Sequence, residues 1–479
     1  MRIASILFAF LTALTAPPAI SKPPTLVITD VTVVPADTDE VLAHRTLTIV
    51  DGVIFRIEPA NEAHIAEGVT QIDGRGKYLI PGLVDAHLHI TTEASIRNDP
   101  DLKNVATRLG RKDSYNRLVL MTLLKAGVTS AFNLGGSEAG DRDLLRLRDD
   151  IAAGSILGPR LYVGKRINGP YSSVNPAELA HAPTSNVKAP WNAADGAAAV
   201  AKARADGYDF IKPYQYLNRE TYTAVVGEAA KLGMLTTGHL PELGCAVCVD
   251  QAYVFAHPMN NIAHAEELQR YGQQGELAPS EIDRLVNMVV AARMSVTPTL
   301  VTFKSIQYQY QMRQVPTVPT HWLSRLDPAS AEEWKAPLNR YLSEKFRHRD
   351  HATEFSAAYD FTRVLTRQLW KRGVMLTVGT DAPLPGLIYG YSVHQEMIEL
   401  GEIGLSPFEV LRAASVNGHR LIDPRGARGA VRVGQRADLV LLDADPITDL
   451  QNISNIAGVV VNGVWLATEQ INKLLDDYR

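Results

Sequence analysis

The chain has 479 residues, 46% hydrophobic and 21% charged, with 48 Lys and Arg against 52 Asp and Glu and a net charge of −4. That balance fits a folded chain with a large apolar core; it excludes collagen, coiled coil and wholesale disorder, and argues against a nucleic-acid binder relying on a basic surface. Only two Cys occur, so no disulfide framework holds the fold together.

Arg2 is followed by the uncharged run Ile3 to Ala16, and no further charge occurs before Lys22. This stretch is shorter than the ~20 apolar residues of a spanning helix and reads as a secretory signal over residues 1–21. Ala19 and Ser21 supply the small residues of a cleavage site before Lys22. No later segment is long and apolar enough to cross a bilayer. The expectation is an exported protein, periplasmic or secreted, without stable membrane insertion after signal removal.

Residues 22–80 read as short strands. Thr25 to Val34 is β-branched and apolar, and Leu47 to Ile57 carries the hairpin signal Asp51-Gly52. The far end behaves alike: Asp438 to Leu442 is a buried-strand run, and Asn462-Gly463 centres a second hairpin in Ala457 to Leu466. These ends predict one small β-sandwich domain assembled from residues 22–80 and 420–479.

Between them, apolar runs alternate with amphipathic helical stretches, the pattern of parallel βα units. The predicted strands are Leu83–Ile90, Val128–Leu134, Arg160–Arg166, Asp209–Tyr214, Leu235–His239, Asn261–His264, Ser295–Val301 and Met375–Thr380. Eight strands suit an α/β fold of the (β/α)8 TIM-barrel type over residues 81–419. An open doubly wound sheet is the rival, but no Gly-rich phosphate fingerprint follows the early strands. Residues 302–371 are too long for one crossover and predict a helical insertion over the barrel mouth.

Val84-Asp85-Ala86-His87-Leu88-His89 ends the first of these strands. Residues two apart share one side of a strand, so His87 and His89 can both face the axis, and paired imidazoles suit zinc or a similar metal. Lys212, His239, His264 and Asp381 stand at the ends of later predicted strands. The C-terminal rim of a barrel is where catalytic groups collect. Arg166 and Tyr214 lie beside them and are the candidate substrate contacts, Arg because its planar fork pairs bidentately with a carboxylate. A structural salt bridge for Arg166 and simple packing for Tyr214 are the plainer alternatives.

The run Leu79-Ile80-Pro81-Gly82-Leu83-Val84-Asp85-Ala86-His87-Leu88-His89 resembles the opening signature of the metal-dependent amidohydrolase superfamily. Gly434-Gln435-Arg436-Ala437-Asp438-Leu439-Val440 resembles that family's return into its β domain. Asp209-Phe210-Ile211-Lys212, Gly238-His239-Leu240-Pro241 and Ile262-Ala263-His264-Ala265-Glu266-Glu267 are similar to motifs of the branch holding imidazolonepropionase-like enzymes, prolidase-like dipeptidases and ochratoxin amidases. The resemblance implies two divalent metal ions, usually zinc. His87 and His89 would bind one ion with Asp381, and His239 and His264 the other. Lys212, carboxylated by carbon dioxide to a carbamate, would bridge them. A metal-bridging hydroxide would attack the amide, and Asp381 would shuttle the proton to the leaving amine. One departure is Asn133, where the branch often has an acidic residue.

His257 is a rival for the sixth-strand ligand, but it precedes the apolar step Ile262-Ala263. Cys245 and Cys248 suit a local disulfide or two free thiols better than a zinc half-site, since no second Cys pair exists. His348, Arg349 and His351 read as solvated, and His394 and Glu396 as packing behind the site. The leading expectation is hydrolysis of a small-molecule amide, a dipeptide or N-acyl amino acid. A mononuclear cyclic-amidine hydrolase or deaminase is the alternative, and a non-catalytic binding protein on the same scaffold the third. Lys212 discriminates the first two, because a single-metal site needs no bridge. No nucleic-acid partner is expected, and a homo-oligomer is compatible with this reading.

Overall fold

The structure is a computed structural model that describes residues 26–108, 114–136, 138–169, 190, 192–214, 217–241, 251–272, 278–335, 338–343, 352–424, 426 and 428–478, with the backbone alone over 352–356. The predicted leader (1–21), Cys245 and Cys248, and His348, Arg349 and His351 lie outside the described residues. Among the described residues no helix is long and apolar enough to cross a membrane.

The strands are β1 (Leu26–Val33), β2 (Leu42–Val50), β3 (Val53–Pro59), β4 (Thr70–Asp73), β5 (Tyr78–Pro81), β6 (Leu83–Leu88), β7 (Val128–Asn133) and β8 (Arg160–Ile167). They continue as β9 (Phe210–Pro213), β10 (Leu235–Gly238), β11 (Asn261–Ile262), β12 (Ser295–Val296), β13 (Leu439–Leu442), β14 (Ile456–Val461) and β15 (Val464–Ala467).

One mixed sheet of eight strands joins both ends of the chain, in the order β15-β14-β13-β5-β1-β2-β3 with β4 beside β1. The seam is the antiparallel pairing of β5 with β13, Leu79 opposite Leu441 and Pro81 opposite Leu439. Both predicted hairpins form, at Asp51-Gly52 between β2 and β3 and at Asn462-Gly463 between β14 and β15. β13, Leu439–Leu442, is apolar at every position because both its faces are covered. Leu79, Leu439, Leu441 and Val460 point into a small core with Leu26, Ile28, Leu47 and Ile49. Their neighbours Ile80, Val440, Leu442, Val459 and Val461 join the main core.

The second sheet is parallel, seven strands from β6 to β12 in chain order. Its strands alternate as a period of two requires. Phe132, Tyr162, Phe210 and Leu235 fill the concave face, while Ala131, Leu161, Val163 and Ile211 face the helices.

The eighth predicted strand, Met375–Thr380, is not a regular strand. It makes an isolated parallel bridge from Leu376 to Val296, and a second bridge joins Ala382 to Leu88. Even so, it bonds to both edges of the parallel sheet: Thr377 N to Val296 O at 3.1 Å on one side, Ala86 N to Val378 O at 2.8 Å on the other. Asp381 breaks its regularity by adopting a left-handed φ of 54°. The seventh predicted strand also stops early, at Val296, because Thr299 turns left-handed (φ 53°) and Leu300 begins a helix.

Among the described residues of 302–371 lie the helices Leu300–Met312, Thr320–Leu323, Pro328–Glu333 and Ala352–Lys371. It grips the turn after Asp381: Thr302 Oγ1 donates to Thr380 O (2.7 Å), Ser305 Oγ to Pro385 O (2.7 Å) and Trp334 Nε1 to Pro383 O (3.2 Å).

Candidate metal centre

A bulge in β6 aims its two histidines. Val84 and Ala86 lie on the concave face, so strict alternation would send His87 and His89 outward. Asp85 pairs with Ala131 and Leu88 with Asn133, three steps on β6 against two on β7. The extra residue resets the alternation. Leu88 then packs into the outer core, and both imidazoles turn inward.

His87, His89 and Asp381 each offer a donor atom within 4.8 Å of the others. His87 Nε2 and His89 Nε2 lie 3.3 and 3.2 Å from the same Asp381 oxygen, and His264 Nε2 lies 3.9 Å from the other. Lys212 Nζ is 3.4 Å from His89 Nε2. The His239 ring stands 4.9 Å from that of His264, centre to centre. All six residues proposed as ligands from the sequence are therefore neighbours.

The second nitrogen of three of the rings is already committed. His87 Nδ1 meets Ala263 O at 3.1 Å and His89 Nδ1 meets Gly135 O at 2.7 Å. A carbonyl only accepts, so both Nδ1 atoms carry the proton. Thr299 Oγ1 spends its hydrogen on Pro298 O, so it accepts from His264 Nδ1 at 2.8 Å. His239 Nδ1 lies 2.8 Å from the Glu267 carboxylate. His87, His89 and His264 thus keep Nε2 as the lone-pair atom, the form in which imidazole ligates a metal, while His239 faces Glu267 at ion-pair distance only. His87 Nε2 is buried without a hydrogen-bond partner.

Burial, followed by the Lys212 charge, pushes His87 down to about 3, and burial lowers His89, His239 and His264 as well, so the rings are neutral near pH 7. Burial alone would raise Asp381, but the surrounding His87, His89 and His264 outweigh it and hold the carboxyl well below its usual range. Burial also brings Lys212 down to about 7, the Asp381 charge opposing and Arg166 assisting. Four lone pairs, a carboxylate and a lysine able to be neutral make a donor set that fits divalent cations.

Neighbouring polar groups hold this set in place. Asp85 accepts from His87 N (3.2 Å), Thr380 N (3.1 Å) and Thr380 Oγ1 (2.7 Å), tying the Asp381 segment to β6. Asn133, the departure noted in the sequence, uses Oδ1 to accept from Ile90 N at 2.8 Å, which fixes the strand end beyond His89. Gly135, with φ 86°, presents its carbonyl to His89 from a backbone that a side chain would strain, and a Cβ there would lie 3.0 Å from Arg166 Cβ.

Tyr214 packs its ring 4.3 Å from His239, under Lys212 Nζ at 5.1 Å and the Arg166 guanidinium at 5.3 Å. Glu396 accepts from Val301 N at 2.8 Å, and His394 Nε2 meets Ala126 O at 2.8 Å, so both pack behind the site. His257 stacks on Tyr253 at 4.2 Å and bonds its carbonyl, outside the cluster.

Sequence reasoning gave no role to Thr299, Glu267 or Arg340. Glu267 stood in the quoted motif three residues after His264, a signal that could have found it. Arg340, in the helical insertion, is exposed. Its Nη2 donates to Tyr341 Oη at 2.8 Å, and its pKa is raised, first by Tyr341.

The family comparison matches residues 78–466 to the amidohydrolase family. A search of curated proteins gave no match. Among solved structures, bottromycin amidohydrolase is 24% identical, with a TM-score of 0.67 over 96% of this chain and 91% of its own. A Xaa-Pro dipeptidase with bound methionine is 17% identical, with a TM-score of 0.66 over 92% and 100%. The ochratoxinase of A. niger is 16% identical, with a TM-score of 0.63 over 93% and 96%. At these identities the likeness speaks for the fold. The family match covers the strand-end histidines, Lys212 and Asp381 together: the chain belongs to the amidohydrolase family and is a hydrolase acting on carbon–nitrogen amide bonds.

Proposed function

We propose that the chain is an exported amidohydrolase that uses two divalent metal ions, zinc first among the candidates, to cleave the amide of a dipeptide or an N-acyl amino acid. The observation that carries this reading is the set of three imidazoles, His87, His89 and His264, whose Nδ1 atoms are spoken for and whose Nε2 atoms lie within 3.9 Å of the Asp381 carboxylate, with His239 and Lys212 beside them. On this reading the parallel sheet and segment 375–382 form a (β/α)8 barrel, with a small β-sandwich domain made from both chain ends.

His87, His89 and Asp381 would hold one ion and His239 and His264 the other. Lys212 would bridge them as a carbamate: the lone pair of its neutral amine bonds to carbon dioxide, and one proton is released. The bound ions would lower the pKa of water and polarise a carbonyl. Asp381, ionised in the folded protein, takes the proton of the attacking water and returns it to the amine as the carbon–nitrogen bond breaks. Arg166, its guanidinium 5.3 Å from the Tyr214 ring, would pair a substrate carboxylate, and Tyr214 would form the wall beside His239.

A single-metal reading keeps one observation in its favour: His87, His89 and Asp381 form the tightest donor group among the described residues. Screening the zinc-loaded protein against dipeptide and N-acyl amino acid libraries separates the two. Release of a free amino acid is expected. Ammonia release from heterocycles without a new amino acid would replace the proposal with the cyclic-amidine alternative.

A further inference from the structure

We infer that the cavity at the N-terminal end of β8, at the opposite end of the strand from the metal centre, binds a small monatomic anion of the halide class. Arg160, Tyr162, His419, Arg428, Arg436 and Asp438 line it. It lies where the concave face of the parallel sheet meets the sheet built from the two chain ends. Tyr162 stacks on Phe132 at 4.7 Å, and Phe132 on Phe210 at 5.8 Å. This aromatic layer separates the cavity from Lys212, two residues further along β9 than Phe210.

Two buried polar atoms on the wall have no partner. Tyr162 Oη and His419 Nδ1 belong to side chains only 9% and 7% exposed, and neither makes a hydrogen bond. An unmade hydrogen bond at a buried polar atom costs about 1–3 kcal/mol, so a native chain retains such atoms where something fills the space. The charges in the wall are also unbalanced. Asp438 is used up, with one oxygen accepting from Arg436 Nε (3.1 Å) and the other from Asn462 N (3.1 Å). Arg428 reaches Asp423 at 3.5 Å on the exposed rim. Arg160 has no carboxylate partner among the described residues, and Nη2 makes only a 3.5 Å contact with Asn462 Oδ1. Burial first, then Arg436, lowers its pKa, with Tyr162 and Asp438 opposing.

The remaining wall is made of donors. Tyr162 offers an O–H, Arg160 and Arg428 offer N–H groups, and neutral His419 offers Nδ1–H in one tautomer. Burial holds that imidazole down at about 4, so it is uncharged at neutral pH. Donors converging on a net positive space call for an anion. Size then selects among anions: the space is about 320 Å³ including its open mouth, yet its enclosed part admits the centre of only one water-sized particle. A monatomic halide, somewhat larger than water, is the anion nearest that size, whereas a tetrahedral oxyanion needs far more. Gly429 preserves it; its φ is 80°, and a Cβ there would lie 2.5 Å from His419 Cδ2. The bound anion would link β8, the helix Val416–Ile422 and the approach to β13 through their hydrogen-bond donors, a structural role independent of catalysis.

The test uses the full metal-loaded protein. Thermal unfolding is followed as sodium chloride or bromide replaces sodium methanesulfonate at constant ionic strength. A saturable rise in Tm of about 2–3 °C is expected. It should vanish in Tyr162→Phe, which removes only the hydroxyl, and in Arg160→Gln, while amide hydrolysis stays at the parental rate. Crystals soaked in bromide should show anomalous density within hydrogen-bond distance of Tyr162 Oη. A Tm indifferent to halide, or a cavity without bromide that holds a water, overturns the inference. Stabilisation by phosphate or sulfate but not by halide overturns it as well.

Discussion

Replacing Thr299 by valine tests whether His264 is held as a metal ligand by the atom behind it. Valine keeps the β-branching, so the left-handed backbone at this position (φ 53°) carries the same steric load. What disappears is the acceptor 2.8 Å from His264 Nδ1. With that side bare, the metal-free ring can move its proton to Nε2, and ion binding must reverse the move and orphan a buried N–H. Such an orphan costs about 1–3 kcal/mol, or about 5- to 150-fold in metal affinity at 1.4 kcal/mol per factor of ten. Losses of about 10- to 100-fold are usual for partners of ligating histidines. The assay is competition between the metal-free protein and a chromophoric chelator for zinc. Thr299→Ser, which restores the acceptor, serves as control, and His264→Ala sets the scale. Thr299→Val binding zinc as tightly as the parent while His264→Ala binds poorly would refute the argument that this hydroxyl fixes the tautomer.

Asp381→Asn should keep the fold yet lose at least ~10²–10⁴ in turnover from acid–base catalysis; near-parental kcat in that variant would remove Asp381 from proton transfer. Lys212→Ala should bind fewer zinc equivalents by elemental analysis and be nearly inactive, with small carboxylates restoring part of the activity; parental metal content with full activity would end the bridging role. Glu333, lifted from 4.5 to about 7 by burial first and then by Asp327 and Asp99, is more protonated folded than unfolded. Stability therefore falls as pH rises from about 4.5 to 7, by up to ~3 kcal/mol at 1.4 kcal/mol per pKa unit. Glu333→Gln should flatten that slope in denaturant titrations across the window, and an unchanged slope would show that Glu333 does not titrate there.

The sequence by itself determined the local signals: the two hairpins, six of the parallel strands to within a few residues, and the strand-end groups His87, His89, Lys212, His239, His264 and Asp381. These are legible because turn chemistry and a period of two are properties of neighbouring residues. The inward aim of His87 and His89 was not, since it depends on a bulge that exists only when β6 is laid against β7. Neither was the irregular eighth segment, whose strand-like apolar run is broken by the left-handed turn that carries Asp381 to the histidines. Thr299 follows His264 by 35 residues and Gly135 follows His89 by 46, so their hold on the imidazoles arises only when distant strand ends meet. The cavity beside Tyr162 is the extreme case. Its polar groups come from β8, from residues 419 and 428 and from the residues just before β13, and a one-dimensional reading has no means of bringing Arg160 and Arg436 together. Sequence carries the chemistry available at each strand end; tertiary packing decides which nitrogen is free, which carboxylate is shared and which cation is left without a partner.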